Sequence, residues 1–149
     1  MYKHILVPTD GSALSDKAVE AALKLAKLSG AHVTAFHAVE PYPLQGAYAA
    51  EASGVAELQP EIFAERSEEY AKRVLAAFAA AAAAANVQCS TAYATSRSAS
   101  QAIIEKANQE KCDLIVMASH GRRGLEGFLL GSETQKVLTH STIPVLVYR

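Results

Sequence analysis

Short apolar runs along this chain alternate with stretches in which apolar residues recur every three or four positions, and the changes of period divide it into strands and helices. Ile5-Leu-Val7 is the first run, closed by Pro8-Thr9-Asp10-Gly11-Ser12, a dense turn signal. Ser12 is placed to cap a helix whose Leu14, Ala18, Ala21, Ala22, Leu25 and Leu28 form one apolar stripe, with Gly30 at its stop. Ala31–Val39 predicts a second strand. Glu40–Pro60, with three prolines, two glycines and no period, predicts a loop. Glu61–Ala85 predicts a long helix, polar at first and then dominated by alanine, the best helix former. Val87–Ala94 predicts a third strand. Ser98-Ala-Ser-Gln101 has the capping-box pattern and opens a helix through Asn108, with Ile103, Ile104 and Ala107 inward. Leu114–Ala118 is a fourth strand, apolar enough to be buried on both faces; Ser132–His140 is a helix and Pro144–Tyr148 the last strand.

Strands alternating with helices argue for a parallel α/β sheet with helices on both faces, which binds ligands beyond the carboxyl ends of its strands. The loops after the first strand (Thr9–Ser12) and the fourth (Ala118–Ser132) are then neighbours, and Asp10 shares a crevice with a loop carrying glycines at 121, 124, 127 and 131. A strand delivering a glycine-rich turn to a helix N-terminus is a way to hold phosphate, because the turn lets backbone N–H groups approach and the helix adds unpaired donors. Three familiar phosphate motifs fail. No lysine separates Gly131 from Ser132, as a Walker A loop requires; Gly121, Gly124 and Gly127 are evenly spaced, unlike Gly-x-Gly-x-x-Gly. Asp10 would oppose phosphate in a flavodoxin-like loop.

Composition narrows the classes. At 149 residues one domain is the simplest reading, and it can bury roughly 70% of its unfolded surface. A formal charge of −1 gives no general attraction to nucleic acid or an anionic membrane, and no apolar run reaches the roughly 18 residues of a membrane span. The opening Tyr2–Pro8 is too short for a signal peptide. Cys89 and Cys112 have no metal or redox spacing and read as small buried hydrophobes, consistent with a reducing cytoplasm.

The remaining spacing, Ala118-x-x-Gly121, nine residues, then Gly131-Ser132, resembles the nucleotide-binding branch of the universal stress protein family. So do Ile-Leu-Val-Pro-Thr-Asp-Gly-Ser at the start, Phe36-His-Ala38, Met117-Ala-Ser-His-Gly121, Leu129-Leu-Gly-Ser132 and Ile143-Pro-Val-Leu-Val147. The resemblance implies a doubly wound, Rossmann-like, five-stranded parallel sheet in the order 3-2-1-4-5. It implies an ATP (or AMP/ADP) site with Mg²⁺, a homodimer paired through the last strand, and regulation of a stress response instead of dedicated catalysis. Carried over by position, Asp10 lies near ribose and metal, Pro8 and Thr9 beside the base, Ala38 behind the adenine and Met117 on its flank. Gly121, Gly131, Ser132 and Glu133 meet ribose and phosphates by backbone or hydroxyl. Ala118 stands where the motif's first glycine belongs, and Ala94-Thr-Ser-Arg-Ser98 lacks the family's glycine and proline.

Blander and rival readings stand beside these. Asp10 also reads as a turn or cap residue, Gly124 and Gly127 as loop punctuation, Arg122 and Arg123 as a solvated pair or a screen for phosphate, His37 as a strand residue and His120 as a loop residue. Ser119 in Ser-x-Gly is half of a nucleophile elbow, which keeps a small serine hydrolase as an alternative, although Met117 replaces the elbow's glycine. A stress protein that has lost nucleotide binding is another. A phosphoacceptor receiver domain fails, because the third strand ends Tyr93-Ala-Thr95 with no aspartate.

Overall fold

The computed structural model describes residues 1–43, 52–54, 59–122 and 130–149. Its elements run β1 (His4–Pro8), α1 (Ala13–Ser29), β2 (His32–Val39), α2 (Pro60–Ala84), β3 (Cys89–Thr95), α3 (Ala99–Gln109), β4 (Leu114–Ala118), α4 (Ser132–His140) and β5 (Val145–Tyr148). The five strands form one sheet in the order β3-β2-β1-β4-β5, and every pair is parallel. Of the loop expected over Glu40–Pro60, residues 44–51 and 55–58 lie outside those described, and Ala52 and Ser53 are helical.

Strand alternation divides the core between two faces. On one, Ile5, Val7, Val33, Ala35, Leu114 and Val116 pack against Val19, Ala22, Leu23 and Ala26 of α1 and Leu75, Phe78 and Ala82 of α2. On the other, Leu6, Phe36, Ile115 and Met117 meet Ala102, Ile103 and Ala107 of α3 and Val137 of α4.

Three sequence expectations need correction. The buried stripe of α1 is Ser15, Ala18, Val19, Ala22, Leu23 and Ala26, rotated from the one expected, and Leu28 is 83% exposed. The Ser15 hydroxyl turns this face inward by donating to Thr9 Oγ1 at 2.9 Å, and alanines let the helix lie close on the strands. Strands β2 and β3 begin later than expected, because helix ends capture the preceding N–H groups: Ala31 donates to the Ala26 carbonyl and Val87 to that of Ala82. The capping box at Ser98 is half made. Ser98 Oγ accepts the Gln101 N–H at 3.3 Å, but the Gln101 amide donates to Glu105, and the Ser98 N–H donates to Ser96 Oγ.

Candidate functional site

The carboxyl ends of β1 and β4 lie side by side at the centre of the sheet, and their loops meet. Asp10 makes the junction: Oδ1 accepts the Ser12 N–H at 2.9 Å and Oδ2 accepts the Arg122 N–H at 2.7 Å. A Cβ on Gly121 would stand 2.5 Å from Asp10 Oδ2, so the approach needs a residue without a side chain. Gly11, at φ +76°, makes the turn that carries Asp10 back into α1. Ser12 caps α1 by accepting the Ser15 N–H at 3.2 Å.

Pro8 closes β1 and Thr9 follows it. Thr9 is buried with all its polar groups engaged: its N–H donates to the Phe36 carbonyl, its carbonyl accepts from His37 Nδ1 at 2.8 Å, and its hydroxyl accepts from Ser15. It can form a wall of the crevice. Ala38 and Met117 both belong to the α3/α4 side of the sheet, Ala38 half-buried and Met117 buried. They can bound an apolar slot for a base.

Ala118 ends β4 paired with Tyr148, its carbonyl accepting from the Thr134 hydroxyl at 3.1 Å. Its φ is negative, since among the described residues only Asn86 and Lys111 have positive φ without being glycine. The position therefore has no backbone requirement for glycine in this state. Ser119 is 3% exposed, donates its N–H to Tyr148 and accepts that of Gly131 at 2.7 Å. Its hydroxyl shares a 3.2 Å hydrogen bond with Nδ1 of the adjacent His120, so a hydrolase reading would need a buried nucleophile to become accessible.

Gly131 begins α4 in extended conformation, with no side-chain cap on the helix. The first-turn N–H groups of Ser132, Glu133 and Thr134 have no carbonyl one turn earlier to accept them. Glu133 contributes backbone only. Its Oε2 accepts the Ser100 N–H at 2.7 Å and its Oε1 the Lys136 ammonium at 2.9 Å. Burial pushes its carboxyl up, but the Lys136 and Ser100 hydrogen bonds outweigh burial and hold it below the usual range.

Tyr70, which the sequence did not single out, enters the picture together with His37 and Arg122, which it did. Tyr70 of α2 donates its hydroxyl to the Asp10 carbonyl. His37 packs edge-on against that ring with centroids 5.6 Å apart, beyond holding Thr9. Arg122 is exposed as expected, yet its guanidinium sits 4.8 Å from the centroid of the Tyr70 ring. The Tyr70 hydroxyl, then the charges of Asp10 and Glu40, raise its pKa further. Arg123, Gly124 and Gly127 lie outside the described residues.

No group of three or more His, Cys, Asp or Glu among the described residues could hold a metal. Asp10 alone fits a Mg²⁺ bound through one carboxylate and substrate phosphates, the usual arrangement for that ion. Cys112 is buried and its thiol is pushed up to about 12, chiefly by burial, while Cys89 is half-buried and raised for the same reason. Neither is a ready nucleophile. No described helix is long and apolar enough to cross a membrane.

The sequence model described as the universal stress protein family matches residues 1–149. A universal stress protein of Methanocaldococcus jannaschii is 36% identical over 149 residues, covering all of this chain and 83% of the relative. The solved structure of a second such protein from that organism superimposes with a TM-score of 0.79 at 26% identity, over 99% of this chain and 96% of its own. A universal stress protein solved in complex with cAMP superimposes with a TM-score of 0.71 at 26% identity, over 99% and 97%.

Proposed function

This chain belongs to the universal stress protein family, and on that premise we propose that it binds an adenine nucleotide in the crevice between the β1 and β4 loops. ATP with Mg²⁺ is the ligand favoured, as a regulatory or protective signal in a stress response in the cytoplasm. The observation that carries this reading is the Asp10 carboxylate held on the Arg122 N–H, which brings both loops to one crevice. Around it, Pro8, Thr9, Ala38 and Met117 can enclose a base. Gly121, Gly131, Ser132 and the Glu133 N–H can meet ribose and phosphates, with Ala118 at the floor. A relative of the same fold that binds cAMP supports an adenine nucleotide. Asp10 would supply the protein's single ligand to Mg²⁺, which would neutralise phosphate charge.

Among the described residues the site offers no evident base, and the sequence has no Walker lysine, so ATP turnover should fall well below the roughly 1–100 per second of kinases. Calorimetry with ATP, with and without Mg²⁺, tests the reading on the wild type and Asp10→Ala. The variant should bind more weakly, and the loss should be larger with Mg²⁺ present. Absence of binding by the wild type would favour a stress protein that has lost its ligand through Ala118.

A further inference from the structure

Groups from two distant segments, and Arg73 of the same helix, converge on Tyr70, behind Asp10. The Tyr70 hydroxyl holds the Asp10 carbonyl, and the guanidinium carbons of Arg73 and Arg122 stand 5.3 and 4.8 Å from the ring centroid. Arg122 is fixed at its backbone, where its N–H meets the Asp10 carboxylate. Its side chain thus starts at the mouth of the crevice and folds onto the ring.

That resting place is made of the ring face, the Tyr70 hydroxyl and the nearby charges of Asp10 and Glu40. An exposed cation on an aromatic face is held less firmly than one making charge-assisted bonds to phosphate. Two like charges also share the same ring, and their repulsion lowers the cost of removing one. Near the first turn of α4, Lys136 is already paired with Glu133 at 2.9 Å. The helix terminus itself supplies only partial charges. A triphosphate entering the crevice therefore calls for a full positive charge, and Arg122, whose backbone N–H stands on the Asp10 carboxylate, is a cation at the crevice mouth.

We propose that Arg122 makes the site discriminate nucleotides by phosphate number. It rests on Tyr70 in the free protein and turns onto the phosphate chain of a bound nucleoside triphosphate. Tyr70 is a positioning residue: its hydroxyl sets Asp10 and its ring stores the guanidinium. This inference rests on the nucleotide reading above and adds the residue that selects among nucleotides.

Calorimetry with adenosine, AMP and ATP at fixed Mg²⁺, on the wild type, Arg122→Ala, Arg122→Lys, Tyr70→Phe and Tyr70→Leu, separates the two. Arg122→Ala should leave adenosine affinity within about twofold and weaken ATP about tenfold or more, the scale of one hydrogen bond to a charged group, with AMP between. Arg122→Lys should recover part of the ATP affinity. Tyr70→Phe keeps the ring but loses the hydroxyl's hold on both Asp10 and Arg122, and should weaken adenosine more than ATP. Tyr70→Leu also frees Arg122 and should raise the ratio of ATP to adenosine affinity above that of Tyr70→Phe. Equal losses for adenosine and ATP in Arg122→Ala, or no loss at all, would overturn the inference while leaving the nucleotide reading intact. Failure of the wild type to bind any of the three would overturn both.

Discussion

Two glycines of the candidate site differ in what surrounds them, and so in what their replacement tests. Among the described residues, a Cβ on Gly121 meets the Asp10 carboxyl group alone within 4 Å, at 2.5 Å from Oδ2 and 3.6 Å from Cγ. Gly121→Ala should therefore push the carboxylate off the Arg122 N–H and weaken ATP binding, at a stability cost of about 1 kcal/mol or less. A Cβ on Gly131 meets His120 Cβ at 3.1 Å, His120 Cα at 3.2 Å and the Ser119 carbonyl at 3.3 Å. Much of that is backbone, so Gly131→Val should strain the end of β4 and cost about 1–3 kcal/mol as well as binding. Thermal unfolding beside calorimetry distinguishes the cases; unchanged ATP affinity in Gly121→Ala would remove Asp10 from the ligand. Asp10 and both glycines were legible in the sequence because strand ends and turn residues mark them locally. Tyr70 was not, because its hydrogen bond to Asp10 spans 60 positions and it sits in the polar half of a helix with no distinguishing pattern.

At the scale of elements, the existence and type of strands and helices followed from apolar period, and the errors arose where one element bonds to another. The late starts of β2 and β3 depend on carbonyls at helix ends, and the rotated face of α1 depends on a serine reaching Thr9. A cross-strand network of the same kind predicts pH dependence. At the amino ends of β1, β2 and β3, His4 Nε2, Thr34 Oγ1, Ser90 Oγ and His32 Nε2 form a chain of three hydrogen bonds, 2.8, 3.0 and 2.9 Å long. Two hydroxyls can supply two of the three protons, so at least one imidazole donates. Burial first, then the neighbouring His4, lowers the pKa of His32, against an opposing pull from Glu110. Unfolded His32 then binds a proton more readily than folded His32, so stability rises with pH between the two values. The contribution is full above the unfolded value of 6.5 and is lost as pH falls through the lower folded one. The Tm should accordingly be lower at pH 5.5 than at pH 7.5, and His32→Gln should flatten the difference. An unchanged slope in that variant would assign the pH dependence to other groups.

At the scale of the whole molecule, the sheet has two outer strands of different character. On β3, Ser90, Thr91 and Tyr93 are exposed or half-exposed, and the Tyr93 hydroxyl donates to Glu68 of α2, beside the Glu68–Lys72 ion pair. Polar cover of that kind disfavours strand addition. β5 reads Val-Leu-Val-Tyr, with Leu146 40% exposed. The carbonyls of Pro144 and Tyr148 accept from Ile115 and Ser119, so they face β4. Alternation then turns the N–H and C=O groups of Val145 and Val147 outward, where a second copy of the strand can pair with them about a two-fold axis. A homodimer joined there should give light scattering at twice 15.8 kDa. Val147→Pro removes one outward donor and leaves the bonds to β4 in place, a substitution that an edge strand tolerates. It should convert the dimer to a 15.8 kDa species whose far-ultraviolet spectrum is that of the wild type. A variant that remains dimeric at the same concentration would place the interface on another surface.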